Sequence, residues 1–276
     1  MSTRRAPARR RGGSDFGLRI LVAIPAIAYA IFIIVSGGWV FAIGIFVLGI
    51  VCMHELFRMY ETVRPIKLAA FLALAGITVA AMEGGERQVL LALVAYFPVM
   101  FLLGISTPRE GGPSLTAAMS LTTFGVVWIG MAFGHAILLR ELPHGDGLVV
   151  ACLLGTFLGD TGAYLGGRLF GTRKLAPRIS PNKTWEGLIA GIIVATAVVW
   201  WYGLSTEWMG GQKGAILGFA VALAAPVGDL LESAVKRDAG TKDAGTLFGA
   251  HGGALDRLDA AFFTLVTGYY VWLLLT

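Results

Sequence analysis

The stretch GLIAGIIVATAVVWWYGL, residues 187–204, contains eighteen consecutive residues without a charged side chain. As a helix it would rise about 27 Å, close to the thickness of a bilayer's hydrocarbon core. Comparable apolar runs lie at about 17–36, 39–56, 66–83, 88–106, 115–139, 147–167, 184–204, 213–234 and 257–275. The pattern predicts an all-α, polytopic integral membrane protein with about nine transmembrane helices.

The composition of the 276-residue chain agrees with this interpretation. Hydrophobic residues make up 56% of the chain and charged residues only 14%, with a mean hydropathy of +0.74. Because soluble domains contain about 25% charged residues, the composition argues against an ordinary soluble protein. The two cysteines, Cys52 and Cys152, lie far apart inside apolar runs. A disulfide framework or a cysteine metal site is therefore not expected.

The distribution of positive charge predicts the topology. If the N-terminus lies inside the cell, only Arg87, Arg140 and Lys213 of the 22 Lys and Arg residues fall in outer loops. Inner loops of membrane proteins are enriched in Lys and Arg, so we expect a multi-pass protein of the cell membrane with a cytoplasmic N-terminus. The net charge of +5 follows this topology, and we expect no nucleic-acid partner.

Three regions differ in composition. Residues 1–16 predict a disordered, basic cytoplasmic tail. Residues 17–145 predict N-terminal transmembrane helices that pack, face lipid or bury a homodimer contact. Residues 146–276 bring ionisable groups to the cytoplasmic ends of their spans, where charges are costly unless they are paired or functional. We therefore expect the chemistry of the protein in this C-terminal region, on the cytoplasmic face.

A polar stripe marks the end of the eighth span. Asp229, Glu232, Ser233, Lys236 and Arg237 follow one another at i, i+3, i+4, i+7 and i+8, which places them on one face of a helix. Such a stripe faces protein or water rather than acyl chains. A solvated helix end with internal ion pairs would also have this pattern, but the apolar depth of Asp229 favours function.

Acidic residues also begin the ninth span, in HGGALDRLD, residues 251–259. Gly252 and Gly253 precede the helix and free the backbone to approach a ligand. Asp256 and Asp259 follow at i, i+3, and capping of the helix dipole would explain only one of them. Together with Asp229 they predict an all-oxygen site, which suits a hard cation such as Mg²⁺.

A second polar module lies in GDTGAYLGGRLFGTRKLAPRISPNKTWEG, residues 159–187. Asp160 falls within an apolar run, which a positively charged topology loop does not explain. Ser180 and Pro181 are typical of a helix start, and Lys183 and Glu186 would then share a face at i, i+3.

Basic residues cluster beside the predicted metal site, at Lys236, Arg237, Lys242 and Arg257. Oxygen ligands for a metal, clustered cations and glycine-freed amides are typical of phosphoryl or nucleotidyl transfer.

The run SAVKRDAGTKDAGTLFGAHGGALDRLD, residues 233–259 (the signature segment), resembles the signature of the phosphatidate cytidylyltransferases, or CDP-diacylglycerol synthases. The matching positions are Ser233, Lys236, Arg237, Lys242, Asp243, Gly245, His251, Gly252, Gly253, Asp256, Arg257 and Asp259. The similarity extends over about residues 155–275. Ala254 and the FGA before His251 depart from the family pattern and affect loop geometry more than chemistry.

The resemblance implies a helical membrane enzyme that condenses CTP with phosphatidic acid to CDP-diacylglycerol and pyrophosphate. It also implies Mg²⁺, with K⁺ as a candidate second ion. We assign metal binding to the three carboxylates Asp229, Asp256 and Asp259. The expected catalytic residues are Lys236, Arg237, Asp243, His251 and Arg257. The expected substrate-binding residues are Ser233, Lys242, Gly252, Gly253, Lys183, Glu186 and Asp160.

Two alternatives stay open at this point. One is a related CTP-dependent nucleotidyltransferase that acts on another lipid phosphate, such as an ether or prenyl lipid. The other is a membrane anion transporter, which would spread ionisable residues across the membrane depth rather than gather them at one side.

Overall fold

The computed structural model describes residues 14–107, 112–245 and 252–276, with side chains from Ile24 onward. Its helices are α1 (Ser14–Ser36), α2 (Gly38–Met59), α3 (Lys67–Glu83), α4 (Glu86–Ile105), α5 (Leu115–Gly125), α6 (Met131–Glu141), α7 (Gly145–Phe170), α8 (Trp185–Leu204), α9 (Gly210–Asp238) and α10 (Leu255–Leu275). A 3₁₀ turn, Glu61–Val63, follows α2, and a π-helical turn, Val126–Gly130, joins α5 to α6. The predicted basic tail lies outside the described residues except at its end, where α1 begins at Ser14.

The protein is an all-α, polytopic membrane protein, as the apolar runs predict. Seven of the described helical segments are long and apolar enough to cross a membrane: Gly38–Met59, Glu86–Ile105, Leu115–Glu141, Gly145–Phe170, Trp185–Leu204, Gly210–Asp238 and Leu255–Leu275. The other two predicted spans correspond to α1 and to α3, which has only 17 residues. The count of nine spans is therefore not confirmed.

A small antiparallel hairpin interrupts the helical pattern between α7 and α8. Its strands are β1 (Lys174–Ala176) and β2 (Ser180–Thr184), paired with Lys174 opposite Thr184. The helix start predicted at Ser180-Pro181 is thus wrong, because these residues lie in β2. Thr184 caps α8 instead, and its hydroxyl accepts a hydrogen bond from the Gly187 amide at 3.2 Å.

Small residues bring the C-terminal helices into close contact. On α7, Gly159 and Gly166 face Ala195 and Ala190 of α8 so closely that an added methyl group would press against them. Membrane helices associate through this kind of packing, since lipid supplies no hydrophobic driving force between them.

The last helix, α10, packs against both halves of the chain. Its Phe262 makes edge-to-face contacts with Trp128 and Phe133, with ring centroids 5.9 and 5.2 Å apart. Its Thr264 hydroxyl accepts a hydrogen bond from Thr156 of α7 at 2.9 Å. The position of α10, and of the acidic residues at its start, therefore depends on the N-terminal helices as well as on α7.

Candidate active site

A cavity of about 480 Å³ lies where α7, the hairpin, α8 and the C-terminal half of α9 meet. Five of its polar lining residues are Asp160, Tyr164, Arg168, Lys183 and Asp229. The cavity thus brings together three predicted site residues from separate elements. Both signs of charge line it, so it can accept an anionic substrate and a cation together.

An ion pair crosses this cavity from the hairpin to α9. The Lys183 ammonium lies 2.5 Å from Asp229 Oδ2, and both side chains are partly exposed, at 24% and 31%. The other oxygen, Oδ1, accepts a hydrogen bond from the Ser233 hydroxyl at 3.4 Å. Asp229 and Ser233 therefore share one helix face, as their i, i+4 spacing predicts.

Lys236 lies between two carboxylates, one on its own helix and one on the next. Its ammonium is 2.5 Å from Glu232 Oε2 and 2.7 Å from Asp256 Oδ1. Glu232 is almost completely buried, with 1% of its surface exposed. Because a buried carboxylate is costly unless paired, Lys236 stabilises both acids and joins α9 to the start of α10.

Asp256 also receives backbone amides. The Gly253 amide donates to Asp256 Oδ2 at 2.7 Å, and the Ala244 amide donates to the same oxygen at 3.0 Å. Gly252 has a φ of +79°, a left-handed conformation that glycine adopts readily, and an added methyl group there would overlap Asp256. The backbone of Gly253, expected from the sequence to bind substrate, thus donates its amide to Asp256 in this structure.

Asp259 lies on the side of α10 that faces α9. Its Oδ1 accepts a hydrogen bond from the Ala260 amide at 2.8 Å. The two helices can approach here because Gly228 has no side chain, and an added methyl group would overlap the main-chain oxygen of Asp259. The acidic residues of α9 and α10 are thus neighbours.

The three predicted metal ligands do not form one cluster. Within the described ranges, no group of three His, Cys, Asp or Glu side chains is arranged to hold a metal ion. Asp259 begins the stretch of α10 whose main chain contacts α9 at Gly228, next to Asp229, whereas Asp256 pairs with Lys236 and with the Gly253 and Ala244 amides. Hard oxygen donors from two carboxylates nevertheless fit Mg²⁺, which proteins often bind through one or two carboxylates plus substrate phosphates.

Most of the remaining predicted site residues lie at the surface near these carboxylates. Lys242, Asp243, Arg237 and Arg257 are exposed at the same end of the helices. The Arg237 guanidinium also donates from Nε to the Ile179 carbonyl in the hairpin turn at 3.4 Å. His251 lies outside the described residues.

Glu186 has a different position from the one predicted. Because Lys183 lies in β2, it does not share a helix face with Glu186. The Glu186 carboxylate instead accepts hydrogen bonds from the Thr172 hydroxyl at 2.6 Å and from the Arg173 amide at 3.2 Å. In this structure it holds the loop that leads into the hairpin.

Two residues near the site were not assigned a role from the sequence. Glu232 lies on the predicted stripe, and its burial and ion pair became visible only in the structure. Glu55 of α2 accepts hydrogen bonds from the Ala254 and Leu255 amides at 3.1 and 2.9 Å. A carboxylate at the end of an apolar run was the sequence feature that could have indicated Glu55.

Comparison with known proteins agrees with this site. The model of the cytidylyltransferase family matches residues 17–275. The chain is 38% identical over 160 residues to the phosphatidate cytidylyltransferase of Mycobacterium leprae, covering 57% of this chain and 49% of that protein. It is 30% identical over 293 positions to that of Mycobacterium bovis, covering 96% and 90%. It is 29% identical over 271 positions to that of Bacillus subtilis, covering 93% and 97%.

The family match covers nearly the whole chain, including the helices before the signature segment. It agrees with the resemblance drawn from residues 233–259, and that interpretation is confirmed. The family consists of nucleotidyltransferases, so the transporter alternative is disfavoured. This chain belongs to the cytidylyltransferase family.

Proposed function

We propose that this chain transfers the cytidylyl group of CTP to the phosphate of phosphatidic acid. A phosphate oxygen of the lipid bonds to the α-phosphorus of CTP, the bond between the α- and β-phosphates breaks, and pyrophosphate leaves. The product is CDP-diacylglycerol. The observation that carries the proposal is the charged cavity, which is lined by Asp160, Lys183 and Asp229 from three separate elements.

The residues around the cavity have chemistry that suits this reaction. A phosphomonoester has a second pKa of about 6, so the lipid phosphate is already anionic near neutral pH and needs no strong base. The main requirements are charge neutralisation and in-line alignment. Lys183 and Arg168 line the cavity, and Arg237, Lys242 and Arg257 lie exposed at the same end. These cations would offset the charge of the triphosphate and of the lipid headgroup.

We further propose that Asp229 and Asp259 contribute to a Mg²⁺ site that substrate phosphate oxygens complete. When bound, the ion would neutralise charge on the triphosphate. Asp256 would join this site only if it released Lys236, so in the described arrangement it holds the start of α10. A second, monovalent ion such as K⁺ and a homodimer contact through the N-terminal helices stay predictions.

We also place the active site on the cytoplasmic face of the cell membrane. The excess of Lys and Arg on the loops at this end supports that orientation. CTP would then reach the cavity from the cytoplasm, and the lipid would enter from the bilayer between helices.

The direct test uses purified protein in detergent with Mg²⁺, CTP and phosphatidic acid. We expect pyrophosphate release together with CDP-diacylglycerol detected by mass spectrometry. Asp229→Asn and Asp256→Asn should abolish both, whereas Asp146→Asn, an exposed aspartate at the opposite end of α7, should not. Ether-lipid and prenyl phosphates serve as competing substrates. A preference for either, or no pyrophosphate from phosphatidic acid, would contradict the proposal.

A further inference from the structure

Glu55 belongs to α2, a helix of the region expected to pack, face lipid or bury a homodimer contact, yet its carboxylate lies at the start of α10. It is buried, with 6% of its surface exposed. It accepts hydrogen bonds from the Ala254 amide at 3.1 Å and from the Leu255 amide at 2.9 Å. Amides at the start of a helix have no intrahelical partner, and the helix dipole favours an anion there.

Glu55 and Asp256 divide the amides of this turn between them. Glu55 takes those of Ala254 and Leu255, whereas Asp256 takes that of Gly253. Asp256 lies in the first turn of α10, directly after these residues, so it cannot fix them relative to the rest of the protein without a partner. Glu55 approaches from α2, about 200 residues away in the chain, and supplies an anchor from outside the signature segment.

Two glycines of the signature segment leave room for this carboxylate. An added methyl group at Gly245 or at Gly253 would overlap Glu55, and the three nearest atoms at each position all belong to Glu55. Neither glycine has the left-handed φ that would by itself require glycine. A side chain at either position would therefore have to displace the Glu55 carboxylate from its hydrogen bonds.

The end of α2 also contacts the other helix of the site. Tyr60, just after α2, donates a hydrogen bond from its hydroxyl toward the Val235 carbonyl and Asp238 Oδ2, each 2.9 Å away. The same segment of chain thus holds the C-terminal end of α9 and the N-terminal end of α10. The relative position of these two ends sets the distance between Asp229 and Asp259.

We infer that Glu55 is a positioning residue for the cytidylyl transfer proposed above, acting through the turn at residues 252–255. It does not touch the cavity itself. It orients the start of α10 so that Asp256 pairs with Lys236 and Asp259 faces Asp229. The expected effect of Glu55 on catalysis rests on the proposed function, whereas its hydrogen bonds to α10 do not.

The kinetic test compares Glu55→Ala, Glu55→Gln and Glu55→Asp. Each amide–carboxylate bond is charge-assisted, so Glu55→Ala should lower kcat about 10- to 100-fold, with the KM for CTP changing less than about threefold. Glu55→Gln keeps one acceptor oxygen, so its kcat should lie between those of Glu55→Ala and the natural protein. The shorter Glu55→Asp should resemble Glu55→Ala. Glu83→Gln, an exposed glutamate on α3, is the matched control and should behave like the natural protein.

A double variant tests the contact itself. Gly253→Ala should lower kcat at least about tenfold, because its methyl group overlaps the Glu55 carboxylate. In Glu55→Ala/Gly253→Ala the overlap is gone, so activity should fall no more than about threefold below that of Glu55→Ala alone. Additive losses would overturn the inference, as would a kcat of Glu55→Ala equal to that of the natural protein.

Amide hydrogen exchange separates this inference from the proposed function, because it needs no turnover. In Glu55→Ala, the peptide that contains Ala254 and Leu255 should exchange at least about tenfold faster, while peptides from α7 and α8 remain unchanged. If the natural protein releases no pyrophosphate but this local change occurs, the proposed function fails and the anchor stands. Unchanged exchange in this peptide would overturn the anchor, whatever the activity.

Discussion

Lys183 of the β-hairpin and Asp229 of α9 form an ion pair, with 2.5 Å between Nζ and Oδ2, inside the cavity that α7 and α8 complete. The pair joins the hairpin to a helix that begins 26 residues after β2 ends. A substrate anion that enters the cavity would meet Lys183, and a cation would meet Asp229. Lys183 and Asp229 thus neutralise each other's charge within the cavity.

Replacing Lys183 should weaken substrate binding. Lys183→Met removes a cation from the cavity and leaves Asp229 without its ion-pair partner, so we expect the KM for an anionic substrate to rise about 10- to 100-fold. Lys183→Arg keeps the charge and should retain most of the affinity. Initial rates measured against CTP and against phosphatidic acid show which substrate depends on this residue. Unchanged kinetics for Lys183→Met would exclude a role in binding.

The close approach of α9 and α10 should not tolerate a methyl group. In Gly228→Ala the new Cβ would overlap the main-chain oxygen of Asp259 and lie 3.1 Å from the Ala260 Cα, and neither atom can rotate away. We expect a loss of stability of about 1 to 3 kcal/mol and a larger loss of activity, because Asp229 and Asp259 would move apart.

Gly76→Ala in α3 is the control for Gly228→Ala, since its Cβ would meet only the Ala92 Cβ at 4.0 Å. Thermal unfolding in detergent and pyrophosphate release measure the two effects. Equal unfolding temperatures and equal activities of Gly228→Ala and Gly76→Ala would contradict the close packing of α9 against α10.

Lys236 should be needed for stability as well as for activity. Lys236→Met leaves the Glu232 and Asp256 carboxylates next to each other without a cation. Removing one partner of a buried ion pair costs about 3 to 5 kcal/mol, so the thermal midpoint should fall clearly. Glu232→Gln/Lys236→Met removes one of the two charges and should recover part of the stability but not the activity. If Lys236→Met were as stable as the natural protein, this would argue against the ion pairs of Lys236 with Glu232 and Asp256.

The orientation of the protein can be tested by cysteine labelling. Cys52 and Cys152 are fully buried, so the natural chain should give little background. We expect Glu207→Cys, between α8 and α9, to react with an impermeant maleimide in intact cells. Lys174→Cys, in the hairpin, should react only after the membrane is permeabilised. The reverse pattern would overturn the cytoplasmic location of the site.

The helices could be predicted from sequence because hydropathy is a property of local chain segments. The run at 115–139 corresponds to the continuous span Leu115–Glu141, and that at 184–204 to Trp185–Leu204. The polar stripe of α9 was also predictable, since a spacing of three or four residues defines a helix face. Its Asp229 and Ser233 make the side-chain contact that this spacing implies.

The hairpin was less predictable because two local preferences compete there. Ser180 and Pro181 fit a helix start, yet the pairing of Lys174 with Thr184 places them in a strand and leaves Thr184 to cap α8. Strand pairing depends on a second segment of the chain. The capping pattern at Ser180 and Pro181 could therefore not decide between a helix start and a strand.

The enzyme class could be predicted from the sequence. Carboxylates, basic residues and glycines in residues 233–259 indicated nucleotidyl transfer, and the resemblance of this segment to a known signature indicated the family. What only the tertiary structure decided is which groups meet across helices. Lys183 pairs with Asp229, Asp256 turns toward Lys236, and Glu55 reaches α10 from the opposite end of the chain. These contacts depend on how closely the helices pack, which is set by small residues such as Gly228 and cannot be read from the periodicity of any one helix.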